Sequence, residues 1–441
     1  MKTAFVLGLS VLALPALAAA QQNPPAPQNS QGPAAAPTPS PAAPPSVRIT
    51  LDEALRLAIQ HNHALQAART TILQSQALET TANLRPNPVL SWDAQFLPIF
   101  DPSKFSADFI DSQAQFDMGF AYTFEIGGKR QHRLRAARDV TEATRSTVAD
   151  NERALSFSVA QQFVAAILAQ SQVDFTQQDL DSFRKSVDIS EMRYKAGAIS
   201  EGDLLKIKLQ MLQFQNDLLS AKLAKIQALS ALRQLLGFES VPDNYDVEGK
   251  LEYEPVHASL DDLKALALRT RPDLRAAQQN VTAARSAELL AEVNRKRDLT
   301  TTFNYSHVAS TNTGAFFFNI QLPFFDRNQG EIARTRYSIT QDEQLAAETS
   351  QQVLTDVANA DQNLRTSEQI VQLYQGGYVE QAIKSRDISE YAYKRGAASL
   401  LDYLDAQRTY RANQLAYRQA LATYMTALEQ MRQATGTRNL P

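Results

Sequence analysis

No cysteine occurs in the 441 residues, which removes disulfides, thiolate metal sites and the lipid-bearing N-terminal cysteine of exported lipoproteins. Histidine is scarce. Of the five, only His61 and His63 lie close in sequence, and residues two apart on a helix point away from each other. Methionine numbers six, and no HExxH or Cys/His cluster is present, so no metal site is expected. Gly-Gly-Lys-Arg at 127–130 lacks the spacing of a phosphate loop, and no dinucleotide-binding glycine motif occurs. No Ser/His/Asp arrangement can be argued from spacing either. The sequence therefore points to no enzyme and no cofactor. A net charge of −3, with 21% charged residues, leaves no basic footprint for nucleic acid. Long apolar runs are missing after the N-terminus, so no transmembrane helix is expected in the mature chain.

The one early apolar run, Ala4–Leu17, follows Lys2 and ends in Ala18-Ala19-Ala20, the pattern of a secretory signal peptide over 1–20. Residues 21–46 are rich in Pro and Ala and carry no charge. They are expected to form a leader that buries no core, either disordered or an extended strap.

What fills the rest is a duplication. KSVDISEMRYKAGAISEGDLL (185–205) and KSRDISEYAYKRGAASLLDYL (384–404) agree at 13 of 21 positions without a gap. Each copy is helix-forming up to Gly197 or Gly396. A small-residue turn follows, through Ala198 and Ser200 or Ala397 and Ser399, and then Asp203 or Asp402 opens a second helix. Glycine supplies the left-handed turn that ends a helix, and serine caps the next. LDEALRLAIQHNHALQAA (51–68) matches LDDLKALALRTRPDLRAA (260–277) in the same way. Repeats of this length set the architecture. The expected organisation is a first repeat over 47–240, an irregular belt insert over 241–254, a second repeat over 255–436 and a tail over 437–441. Each repeat reads helix, strands, very long helix, bend, helix, with the bends near 197–203 and 396–402.

Residues 129–196 contain no proline and no glycine; as one helix they would span roughly 100 Å, far longer than a globular helix. After the first bend Leu205, Leu209, Leu212, Asn216, Leu219, Leu223 and Ile226 keep heptad spacing, which specifies a coiled-coil seam. After the second bend Tyr403, Tyr410, Tyr417 and Tyr424 recur every seven residues.

Four segments break this helical pattern: 88–96, 115–126, 298–308 and 314–325. Aromatic and small or polar residues alternate in them, and 13 of the 20 Phe lie in 89–126 and 299–326. Transmembrane strands need only about 9–11 residues with aromatic girdles. Four strands cannot close a barrel, and lipid forbids open edges, so a membrane reading requires several chains to pool strands. Two soluble hairpins capping a helical bundle fit the alternation as well. The predicted fold is mainly α with a small β part: a long helical-hairpin coiled-coil tunnel plus four strands per chain.

Basic residues crowd the helix–strand joints: Arg85; Lys129, Arg130, Arg133 and Arg135; Arg295, Lys296 and Arg297; Arg327. They are either cations meeting anionic head groups or ordinary solvated helix ends. Asp402 and Asp405 share a helix face just inside the second bend. Around a symmetry axis they would form a ring attracting cations; alone they favour a helix N-terminus. The first bend keeps Asp203 but has Lys206 at the second position.

The duplicated halves, the GAxSxxD bends and the joints FEIGGKRQHRLRAAR (124–138) and LPFFDRNQGEIARTR (322–336) resemble the TolC-like outer-membrane efflux proteins, most closely the heavy-metal-resistance, CzcC-type branch. The resemblance covers about 47–436. It implies a homotrimer that shares a 12-stranded barrel in the outer membrane of a Gram-negative cell, with a helical tunnel through the periplasm. It also implies a periplasmic adaptor contacting the bends and an inner-membrane pump of the resistance–nodulation–division type, with heavy-metal cations as cargo. Multidrug efflux, type I protein secretion and a secreted structural coiled coil are the alternatives. Asp402 and Asp405 match the family's entrance acids, and Tyr393 matches a tyrosine that latches the closed entrance. The arginine found near that tyrosine is Ala398 here, so a salt-bridged latch is not implied.

Overall fold

The computed structural model describes residues 47–440. The expected signal peptide and Pro/Ala-rich leader lie outside the described residues.

The first repeat opens with β1 (Arg48–Ile49), α1 (Leu51–His61) and α2 (His63–Ala82). Thr50 and Glu53 form a reciprocal capping box at the start of α1, and the Asn62 side chain caps α2 by accepting from the Leu65 N–H at 3.0 Å. Then come β2 (Val89–Gln95), the short α3 (Ala107–Ser112), β3 (Gln115–Phe124), α4 (Lys129–Lys195) and α5 (Glu201–Leu236). As the absence of breakers requires, α4 is a single helix of 67 residues. The segment expected to be an irregular belt holds β4 (Asp246–Val247), which pairs in parallel with β1 and buries Tyr245 and Val247. The second repeat runs α6 (Leu260–Thr270), α7 (Pro272–Asn294), β5 (Leu299–Val308), β6 (Thr311–Ile320), α8 (Gln329–Leu373), α9 (Val379–Arg395) and α10 (Leu400–Thr435).

The long helices of the two repeats differ. The second long helix is not continuous: a π-helical turn at Tyr374–Tyr378 separates α8 from α9, with Gly377 at φ 116°. Adjacent Gly376 and Gly377 free the backbone to leave the regular helical ladder, and only glycine takes that φ without strain.

Packing repeats the duplication. In the first half, α1, α4 and α5 bury Leu55, Phe163, Ile167, Leu232 and Leu236 around β4; in the second, α6, α8 and α10 bury Leu263, Val353, Val357, Tyr424 and Met431. By length and composition α4 does contain one stretch apolar enough to cross a membrane, contrary to the sequence expectation. Its Val159, Phe163, Val164 and Ile167 are buried within the helical body, which accounts for their apolar character.

The larger sheet has the order β2-β3-β5-β6, antiparallel throughout. The fourth strand begins and ends earlier than the sequence pattern indicates. It starts directly after a two-residue turn, Ala309-Ser310, with φ of 49° and 58°, and Pro323 has no N–H to extend it. The β2–β3 connection carries α3 and folds onto this turn: the Ser310 N–H donates to the Asp111 carbonyl at 2.8 Å.

Candidate functional site

Cross-strand partners in an antiparallel sheet point to the same face, so the register sorts the side chains. Leu90, Phe120, Phe303 and Phe316 align on one face. By alternation that face also carries Trp92, Met118, Tyr122, Phe124, Tyr305, Phe318 and Ile320. The other face carries Ser91, Asp93, Asp117, Thr123, Thr300, Asn304 and Ser306, interlinked by bonds such as Thr123 to Thr300 at 3.0 Å and Gln115 Nε2 to Asp117 at 2.7 Å. The aromatic face is exposed on the protomer, as are both sheet edges, β2 and β6.

At the opposite end the two bends sit side by side. Gly197 (φ 73°) and Gly396 (φ 78°) close α4 and α9 in the left-handed conformation. The Ala198 N–H returns to the Arg193 carbonyl at 2.8 Å, and Ala397 to Ala392 at 2.9 Å. Ser200 Oγ then accepts from the Asp203 N–H at 3.1 Å, and Ser399 Oγ from Asp402 at 3.2 Å. Asp402 completes a capping box by accepting from the Ser399 backbone N–H at 3.3 Å and also accepts from the Ser399 hydroxyl at 2.7 Å, so its carboxylate is engaged locally. Asp405 is exposed and has no hydrogen bond or ion pair among the described residues. At the first bend Lys206 stands 3.6 Å from Asp203 and neutralises it.

Tyr393 is not at the tip surface. It is 3% exposed, stacks on Tyr403 with ring centroids 5.2 Å apart, and shares a hydrogen bond of 3.0 Å with the Ser190 hydroxyl on α4. Ala398 leaves no cation at its position, but Arg193 supplies one from α4: it donates to the Tyr393 carbonyl at 2.6 Å, its guanidinium 5.0 Å from the ring centre.

A polar tie farther along the hairpins joins residues that share no local sequence pattern. Tyr403 donates to Ser186 at 3.0 Å, and Gln407 to Asp179 at 2.7 Å. Arg411 reaches Asp179 at 2.8 Å and Asp217 at 2.7 Å while lying over the Phe214 ring. Burial pushes the Asp179 carboxyl up to about 6, with Arg411, Arg386 and the Gln407 amide pulling the other way. Among the described residues no group of three His, Asp or Glu is placed to hold a metal ion.

A sheet with one aromatic and one largely polar face, continued by helical hairpins, suits a conduit. The family model for outer membrane efflux proteins matches residues 54–238 and 263–437. The chain belongs to this family. It is an outer-membrane efflux channel whose body extends into the periplasm, and membership sets aside both soluble hairpins and a secreted coiled coil. The cobalt-zinc-cadmium resistance protein CzcC of Cupriavidus metallidurans is 27% identical over 391 residues, covering 86% of this chain and 88% of that protein. The pyoverdine export outer membrane protein OpmQ of Pseudomonas aeruginosa is 26% identical over 393 residues, covering 82% of this chain and 80% of its own. The crystal structure of the open state of the Neisseria gonorrhoeae MtrE outer membrane channel superposes with a TM-score of 0.72 at 18% identity, covering 88% of this chain and 89% of that one.

Proposed function

We propose that three copies of this efflux channel assemble edge to edge into one 12-stranded barrel and export heavy-metal cations. The observation that carries the reading is the sheet with two open edges and an aromatic face. In lipid, every edge N–H and C=O must be paired. Four antiparallel strands make β2 and β6 run in opposite directions, so β6 of one copy meets β2 of the next in antiparallel pairing, and the ring closes without a mismatch. Two copies would give about eight strands, an interior that side chains fill; three is the smallest number that leaves a lumen.

The exposed Leu205–Ile226 seam supports the same assembly. Leu205, Leu209, Leu212, Leu219, Leu223 and Ile226 are each 52–67% exposed on the protomer, while α5 packs internally through Leu204, Ile207, Phe214 and Leu218. A heptad stripe turned away from its own chain suits a neighbouring copy.

The paired bends form the periplasmic entrance in this reading. They are contacted by a periplasmic adaptor and coupled to an inner-membrane pump of the resistance–nodulation–division class, which supplies the energy. Asp405, with Asp402 beside it, forms the acidic ring, and Tyr393 with Ser190 and Arg193 holds the second hairpin to the first. Gly197, Ala198, Ser200, Asp203, Gly396, Ala397 and Ser399 shape the surface offered to the adaptor.

The similarity to CzcC favours metal cargo. A strain lacking this chain is expected to lose tolerance to zinc, cobalt or cadmium while keeping its tolerance to dyes and its siderophore export. Unchanged metal tolerance with impaired siderophore or dye export moves the cargo to the small-molecule class that the OpmQ similarity suggests.

A further inference from the structure

The basic joints separate into two groups once their partners are visible. Lys129 is a strut, paired with Asp298 at 2.9 Å. Arg133 is another: it pairs with Glu125 at 2.6 Å and donates to the carbonyls of Ala82 and Leu84 at 3.0 Å each. Arg297 is tied to Asp326. These three hold strands to helices and are engaged. Arg135 and Lys296 have no carboxylate partner among the described residues, and neither have Arg85, Arg130, Arg295 and Arg327. Arg130 reaches only the Asn83 amide at 3.5 Å, and Arg327 only the Pro323 carbonyl at 3.3 Å.

Arg85, Arg130, Arg295 and Arg327 line two cavities, one at each repeat's joint. Arg85 and Arg130 border a cavity of about 260 Å³ closed by Tyr122 and Phe124. Arg295 and Arg327 border one of about 580 Å³ whose other wall carries Arg336 and Tyr337. The carboxylates facing them are already used: Glu125 by Arg133, and Glu292 by Arg336 at 3.2 Å. Each cavity therefore keeps two uncompensated guanidinium groups, a geometry suited to oxyanions. Position decides the source. Tyr122 and Phe124 belong to the aromatic face of the sheet, and Thr123 between them lines the same cavity from the polar face, so the first cavity sits at the end of the sheet with the exposed Phe124 ring on its rim. Beside the second, Leu322, Phe324 and Phe325 project outward, Phe325 being 92% exposed. Paired arginines bordered by exposed aromatics match the boundary between head groups and acyl chains.

We propose that the two joints are binding sites for anionic, phosphate-bearing lipid head groups of the periplasm-facing leaflet, one held by Arg85 and Arg130 and the other by Arg295 and Arg327. The duplication makes them a matched pair at one level of the molecule, clamping the barrel's depth in the membrane.

Native mass spectrometry of the full, detergent-extracted chain tests this with added phosphatidylglycerol, phosphatidylcholine or inorganic phosphate. Two phosphatidylglycerol molecules per protomer are expected to be retained, with little phosphatidylcholine. R85Q/R130Q and R295Q/R327Q should each lose one, at about 30-fold weaker binding, while K222Q, a charge change far from the joints, loses none. If a double variant does not fold, the single substitutions carry the test at about fivefold each. Equal retention of the two lipids, or unchanged retention in folded variants, overturns the proposal. Displacement of phosphatidylglycerol by millimolar inorganic phosphate at constant ionic strength also overturns it, in favour of a small-anion site.

Discussion

Asp179 of α4 and Arg411 of α10 approach to 2.8 Å in the buried interior of the hairpin region, yet their orientation is not that of a hydrogen bond. Desolvation outweighs the arginine, and the carboxyl sits at about 6, above the unfolded value of 3.8. An acid with a raised folded-state value contributes stability that is complete below the unfolded value and lost as pH rises through the folded one. The hairpin region is therefore expected to gain stability on going from pH 7 to pH 5, by about 1 kcal/mol. D179N should abolish that gain, measured as the difference in thermal midpoint between the two pH values. A D179N protein with the same pH response as the wild type removes Asp179 as its source.

The two acids of the second bend are expected to behave differently. D402A breaks the capping box with Ser399 and should cost about 1 kcal/mol of stability. D405A removes a carboxylate with no partner among the described residues and should leave thermal stability unchanged, while weakening block of single-channel current by divalent cations in planar bilayers. If D405A leaves cation block untouched, the acidic ring at the entrance is wrong.

Y393F removes the hydroxyl that meets Ser190, at a cost of about 1 kcal/mol, and loosens α9 from α4. Single-channel conductance is expected to rise, and S190A should reproduce the effect. Y393F combined with S190A should then add little, because both remove the same bond. Additive effects in that cycle would place the two side chains in separate roles.

Much of this is legible in the amino-acid sequence. Gly197 and Gly396, each followed by a serine cap, mark the bends, because few residues besides glycine end a helix in the left-handed conformation. The alternation around Phe120 and Phe316 marks strands, because side chains in a sheet change face at every residue. What escaped depends on partners that the pattern does not name. The leucine seam of α5 has coiled-coil spacing, but spacing cannot tell a partner in the same chain from one in a neighbour. Asp402 and Asp405 look alike as a pair, and only the geometry of Ser399 gives the first of them to the cap. The π-turn at Gly377 follows from two adjacent glycines whose effect on the ladder depends on what packs beside them. Asp179, Gln407 and Arg411 come from distant parts of the chain and share no local signature.

The leucine seam yields a separate expectation. L212E/L219E places charge where a neighbouring copy is expected to pack, but not in the protomer's own core, since both side chains are more than half exposed. Helical content should be retained while the assembly falls apart, observed as a fall in particle mass with little change in circular dichroism. Loss of fold together with loss of assembly would place the seam inside the protomer.

One chain has four strands in its larger sheet, too few to seal a pore, and the proposed assembly pools those of three copies. The most direct measurement is the mass of the detergent-extracted particle after correction for bound detergent and lipid. Three copies per particle are expected. A stable monomer would contradict the account, because its two open sheet edges would then have to survive in the membrane unpaired.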